Sequence, residues 1–298
     1  MGDRTDEHDT GRRPDGGDRD DRHPGDSDSL VETTVREEVL RVRRPGTRWL
    51  SSGRGGGFRV ANAAYNCSVP TGFARTDLDA YVLERRRDAS FPEPGPALLT
   101  GLSLRHARGA WSASVTAIAT AGLSNPATLP VPVGVGAEND DFDAVDAAGS
   151  GDCRRSGGTD GTDSEGTEGS DDGAKDGATD SPPTGTVNLV VVTDRALDDA
   201  GLAALLASSV EAKTATLLAL TGFSGTTSDA IVVGCDPEGE RAGFAGSATP
   251  IGTAARACVR DAVRGSLRSR YPDGEVPRSV EEAEYGVRTT RSTRSFRP

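Results

Sequence analysis

Hydrophobic residues follow two rhythms along this chain, and the stretch from 185 to 234 shows both. Positions 187–192 form a nearly unbroken β-branched run, the pattern of a strand buried on both faces. Helical spacing takes over at 198–220, a Gly/Thr/Ser/Asp turn follows at 224–229, and 230–233 is a second apolar strand. These elements make one packing unit. Its polar residues, Asn188, Asp194, Glu211, Lys213, Thr226, Ser228 and Asp229, fall at element ends or interrupt apolar faces. Chemistry in α/β architectures collects at such positions.

The rest of the pattern predicts further elements. Residues 30–44 partly alternate apolar and charged side chains, as a half-exposed strand does, with Pro45-Gly46 as the turn. Four glycines at 53 and 55–57 precede a strand over 58–69. Asp77 is placed to cap a helix over 78–87. A loop at 92–96 leads to strands over 98–104 and 111–121, the second ending in the small polar turn Thr120 to Pro126. Ala255, Val259, Ala262, Val263 and Leu267 mark one face of a helix over 252–271. No internal repeat is visible. The expected class is α/β, with α+β the alternative: a single globular domain whose mixed sheet is flanked by helices.

Composition shortens the part of the chain that can fold. Residues 1–28 are acidic with almost nothing apolar, and 137–185 are acidic and rich in Gly, Ser and Thr, so neither buries enough surface to offset an ordering cost of roughly 1–2 kcal/mol per residue. The expected organisation is a disordered tail (1–28), a catalytic domain in two parts (29–136 and 186–286), a disordered acidic insert between them (137–185) and a frayed basic tail (287–298). Charge divides along the same lines. The net −12 comprises −5 in the first tail, −11 in the insert and +4 elsewhere, which argues against nucleic-acid binding. Two lysines against 32 arginines in an Asp-rich chain suggest a halophile's cytoplasm, with a GC-rich genome as part of the arginine bias. The four scattered cysteines match no zinc spacing. No apolar run approaches the ~20 residues needed to span a bilayer. A cytoplasmic protein that uses no membrane is expected; its oligomeric state is left open.

Candidate chemistry lies in the turns and on one helix. The glycine-rich loop is either a phosphate cradle or a tight turn with close approach to a ligand, and it lacks the GxxxxGK[ST] spacing. On a helical wheel over 198–220, Lys213 falls within the stripe of Leu202, Leu205, Leu206, Leu217 and Leu220, while Glu211 falls on the opposite face. Either Lys213 is buried and meets a carboxylate or ligand, or the helix breaks at Ser208-Ser209 and exposes it. Thr226 to Asp229 reads as a hydroxyl nucleophile near a base, or as an ordinary turn. Only His106 lies outside the first tail, which makes a Ser-His-Asp triad an unattractive reading.

Several blocks recur in a telling order: Ser52-Gly53 with Gly55-Gly56-Gly57, Thr120-Ala121-Gly122 with Ser124-Asn125, Gly185 to Asn188, Glu211-Ala212-Lys213, Gly225-Thr226 with Asp229-Ala230, and Ala245 to Gly252. Together they resemble the adenosylcobinamide amidohydrolase family of corrinoid salvage. That resemblance implies hydrolysis of the amide joining aminopropanol to the corrin ring, giving adenosylcobyric acid and 1-amino-2-propanol for cobalamin synthesis. It implies that cobalt arrives within the substrate, with no separate cofactor or protein-bound metal. It makes the glycine-rich loop a close-approach surface for a bulky corrinoid.

Amide hydrolysis needs a nucleophile, oxyanion donors and an acid for the leaving amine. The expected catalytic set is Glu211, Lys213, Thr226 and Asp229, with Glu211 or Asp229 as base and Lys213 and Asn188 as donors. Ser52, Gly53, Gly55, Gly56, Gly57, Asn62, Thr120, Ser124, Asn125, Asn188 and Ser228 are the expected substrate contacts. A non-catalytic corrinoid- or nucleotide-binding protein and an acyltransferase using Thr226 are the alternatives.

Overall fold

A computed structural model describes residues 29–131, 185–283 and 285–298. The first tail lies outside these residues, as do 132–136 and the expected insert apart from Gly185. That glycine is buried: a Cβ there would stand 2.4 Å from the Ser124 nitrogen.

The chain opens with a hairpin of β1 (Glu32–Arg36) and β2 (Val39–Ser51). The pattern predicted one strand over 30–44 closed by Pro45-Gly46. The turn is instead at Glu37-Glu38, both at positive φ (47° and 54°), and Pro45-Gly46 is a bulge inside β2. Two glutamates are not the Asn-Gly signal of such a turn, which is why it escapes the eye. β3 (Gly57–Ser68) returns antiparallel to β2 after the glycine turn. Gly55 and Gly57 have φ of +62° and +93°, and a Cβ on Gly56 would lie 2.4 Å from the Ser51 carbonyl, so the turn needs its glycines.

Helix α1 (Leu78–Asp88) carries the chain to β4 (Ala97–Thr100), parallel to β3. Asp77 holds the N-cap position without capping; its carboxylate is taken by Arg75, which lowers its pKa. The strand predicted at 98–104 stops at Thr100, and the one at 111–121 divides. Residues 104–106 form a 3-10 turn, and β5 (Arg108–Ser112) and β6 (Val115–Ala121) form a hairpin around Ala113, at φ 48°. β7 (Pro126–Thr128) follows. The central unit is as predicted: β8 (Val187–Thr193), α2 (Asp199–Thr221), the short β9 (Gly225–Thr226) and β10 (Ala230–Cys235), with β8 and β10 parallel. α3 (Pro250–Arg270) starts at Thr249, whose hydroxyl accepts from the Gly252 nitrogen. The tail expected to fray from 287 is anchored at its start, where β11 (Val287–Arg288) pairs with β7.

The main sheet runs β4-β3-β2-β10-β8-β6-β5, with β1 on the free half of β2; β7, β9 and β11 form a small second sheet. It is a mixed sheet with helices, as the α/β reading expects. Leu189, Val191, Ile231 and Val233 pack under α2 and α3. The opposite face joins Val190, Val192, Val232 and Ile118 to Leu40, Val42, Ala64 and Leu98. Asn188 on β8 can reach Asn66 on β3 and Leu99 on β4 only because the sheet coils, bringing β3 and β4 over β8.

Contrary to the sequence reading, α2 is long and apolar enough to cross a bilayer by length and composition, with one 18-residue window at a mean hydropathy of 1.3. Here its Leu202, Leu205 and Leu217 are fully buried against the sheet and α3.

Candidate active site

Two contiguous polar clusters sit where the amino ends of β8 and β10 meet the glycine turn and the carboxyl end of β6. Ligand crevices of parallel sheets open at the carboxyl ends; here the chemistry-bearing residues gather at the opposite end. Asp194, at the carboxyl end of β8, pairs with Arg195 and takes no part.

The first cluster centres on Asp229. Lys213 Nζ donates to Asp229 Oδ2, and Thr226 Oγ donates to Oδ1. The backbone nitrogens of Val187 and Thr226 donate to the same carboxylate at 2.9 and 3.2 Å. α2 is continuous through Ser208-Ser209, with Ser209 bonding back to the Leu205 carbonyl, so Lys213 keeps its inward phase and is buried. A Cβ on Gly225 would lie 2.7 Å from Asp229 Oδ2 and 3.3 Å from Lys213 Nζ; glycine there lets the pair close.

The second cluster is a buried amide chain. Asn66 Nδ2 donates to Thr120 Oγ at 2.9 Å, and Asn188 Nδ2 donates to Asn66 Oδ1 at 3.0 Å and to the Leu99 carbonyl at 2.8 Å. Thr186 Oγ donates to the Ser228 carbonyl at 2.8 Å, joining this chain to the Asp229 loop. Asn188 was expected to donate to the reacting oxyanion. Both of its amide protons are engaged and it is 1% exposed, so it ties β3, β4 and β8 together instead. Thr120 likewise belongs to the buried floor and not to the surface.

Above this floor lies an open face. Ser52 locks the glycine turn to β10, its hydroxyl accepting from the Ile231 nitrogen at 2.9 Å. Asn125, fully buried, donates to Thr227 Oγ at 2.6 Å and to Ser228 Oγ at 3.3 Å, presenting both exposed residues. Ser124, half-buried, accepts from Tyr285 through its carbonyl. Ser52, Gly55, Gly56 and Gly57 are exposed in the glycine turn, with Gly53 half-buried, and Thr227 and Ser228 are exposed in the loop that enters β10.

Two expected residues are elsewhere. Glu211 lies on the outer face of α2, its side chain 61% exposed and paired with Arg256 at 2.6 Å. Two residues along a helix turn through ~200°, so it cannot join Lys213. Asn62 accepts from Gly46 at the β2 bulge. The block Ala245 to Gly252 is packing: Ser208 Oγ bonds the Ala245 carbonyl, and a Cβ on Gly252 would lie 2.0 Å from the Gly246 oxygen. His106 donates to or accepts from Ser269 Oγ at 3.1 Å, and among the described residues arginines and no carboxylate neighbour it. Among the described residues, no three His, Cys, Asp or Glu side chains are grouped to hold a metal. Asn66 was missed; a lone amide between Tyr65 and Cys67 in an apolar strand was its signal.

The family model for adenosylcobinamide amidohydrolases matches residues 25–275, spanning both clusters and the open face. The chain belongs to the adenosylcobinamide amidohydrolase family. It is also similar to an adenosylcobinamide amidohydrolase of Halobacterium salinarum, with 45% identity over 271 residues that cover 90% of this chain and all of the relative. No solved structure matches. For a member of this family, the arrangement makes chemical sense. The Thr226–Asp229–Lys213 set offers a hydroxyl, a carboxylate and a cation within one contact.

Proposed function

We propose that this chain hydrolyses the aminopropanol amide of adenosylcobinamide, giving adenosylcobyric acid and 1-amino-2-propanol in cobinamide salvage. The observation that carries the reading is the full-length, 45% match to the haloarchaeal amidohydrolase.

Thr226 Oγ already donates to Asp229 Oδ1, the contact a hydroxyl nucleophile makes with its base. As Thr226 attacks the amide carbonyl, its proton passes to Asp229 and the carbonyl becomes an oxyanion. Lys213 has three N–H donors, of which Asp229 takes one, leaving two for that oxyanion or the departing amine. Collapse releases 1-amino-2-propanol with a proton, and water then cleaves the acyl–Thr226 ester. Cobalt enters within the corrinoid, and no resident metal takes part.

Incubating the purified chain with adenosylcobinamide should release cobyric acid and aminopropanol in equal amounts, unaffected by a chelator. Thr226→Ala should abolish release while Thr226→Ser retains part of it. Retention of intact adenosylcobinamide without products would instead establish a binding protein, and undiminished turnover by Thr226→Ala would remove Thr226 from the mechanism.

A further inference from the structure

Helix α1 holds a buried cation that has no counterion among the described residues. Arg86 is 8% exposed, and among the described residues its guanidinium makes no ion pair or hydrogen bond; its Nε is buried without a partner. Its one ring contact is with Tyr65, 5.3 Å from the centroid. The adjacent Arg85, by contrast, reaches the Glu37 carbonyl. A buried charge is ordinarily paired, because desolvation without a partner is costly.

Arg86 lines a cleft of about 210 Å³ between α1, the glycine turn and β4. Arg54 and Arg59 border the same cleft, and among the described residues Asp79 is its sole carboxylate. Asp79 stands 3.7 Å from Arg54 in an exposed pair. Three guanidiniums against one carboxylate leave the cleft cationic. It also adjoins the polar floor, since Leu99, on its wall, is the residue whose carbonyl receives Asn188. Its volume is below the roughly 300–1,000 Å³ of sites that enclose whole ligands, so it fits a small group and not a macrocycle.

We propose that this cleft binds a small oxyanion, a phosphate or carboxylate, held by Arg86 with Arg54 and Arg59 at its mouth. The planar fork of a guanidinium matches such groups in bidentate fashion. Its place beside the corrinoid face rests on the function proposed above; the binding itself does not.

The test is to titrate the full chain with inorganic phosphate and, separately, with propionate at fixed potassium chloride, reading calorimetric heat and melting temperature. Saturable binding of at least one ion, with a higher melting temperature, is expected. Arg86→Met should abolish that response and raise the melting temperature of the ligand-free chain, because an unpaired buried charge has been removed. Arg54→Gln should weaken binding without abolishing it. If Arg86→Met does not fold, Arg86→Lys should bind at least tenfold more weakly. A corrinoid phosphorylated on its arm should bind more tightly than its unphosphorylated form if the substrate carries the anion; equal affinity alongside phosphate binding assigns the cleft to the free ion. No saturable response, or a response that survives Arg86 substitution, would overturn the subsite. A chain that hydrolyses adenosylcobinamide but ignores both ions loses only the subsite; one that binds them without hydrolysis loses only the reaction.

Discussion

Lys213 and Asp229 form a buried ion pair that joins the middle of α2 to the loop entering β10, with side chains only 8% and 12% exposed. Asp229 accepts from Lys213, from the Thr226 hydroxyl and from two backbone nitrogens, which ties helix, loop and the first residue of β8 into one unit. The pair therefore both shapes the fold and holds the proposed nucleophile.

Removing one partner strands the other in a nearly dry site. Lys213→Met or Asp229→Asn should each cost about 3–5 kcal/mol of stability. The double variant should lose less than the sum, since neither charge is then left alone. Denaturant unfolding of the four proteins checks the coupling; additive losses would show that the two residues act independently.

Glu211 and Arg256 make an exposed pair, worth at most about 1 kcal/mol. Glu211→Gln should retain turnover within about twofold of the parent in the cobyric acid assay. A large fall in kcat would restore Glu211 to the active site.

Asn188→Leu leaves Asn66 Oδ1 and the Leu99 carbonyl without their donor in a buried setting. Each orphaned group costs roughly 1–3 kcal/mol, so the melting temperature should fall sharply. At a temperature where the variant is fully folded, kcat should change far less than stability does, because Asn188 has no free proton to offer a substrate.

His106 is buried beside Arg105 and Arg270; desolvation first, then these charges, lower its pKa from the usual value near 6.5. The unfolded chain then binds the proton more readily than the folded one. Stability from this residue is fully present above about pH 6.5 and is lost as pH falls from there toward the folded pKa. His106→Gln should flatten that part of the stability–pH curve; an unchanged acid slope would show that other groups produce it.

Glu37 adopts φ +47° in the first hairpin, a region that Asn tolerates better than Glu. Glu37→Asn should stabilise the chain by about 1 kcal/mol or less in thermal unfolding. Glu38 is the wrong site for this change, because its carboxylate receives the Leu104 nitrogen at 2.7 Å.

Patterning along the chain was enough for the elements whose faces are fully buried. The run at 187–192, the leucine stripe of α2 and the apolar face of α3 each report burial directly, because period and hydrophobicity decide which side is in. Hairpins turning at Glu37-Glu38 and Ala113 were illegible, because these residues reach positive φ only when tertiary pairing enforces it. The wheel also separated Glu211 from Lys213 correctly, since both lie on one unbroken helix.

By itself, then, the sequence determined the βαβ unit at 185–234, the opposed directions of Glu211 and Lys213 and, through its ordered blocks, the family. Only the tertiary structure decided that Lys213 meets Asp229, that Asn188 joins Asn66 in the floor and that Arg86 faces a cleft with no partner among the described residues. The first depends on how α2 packs back on the loop that follows it, the others on how far the sheet coils and where distant strands cross. Local propensity carries no record of that, because it arises from contacts between residues 16 to 122 positions apart.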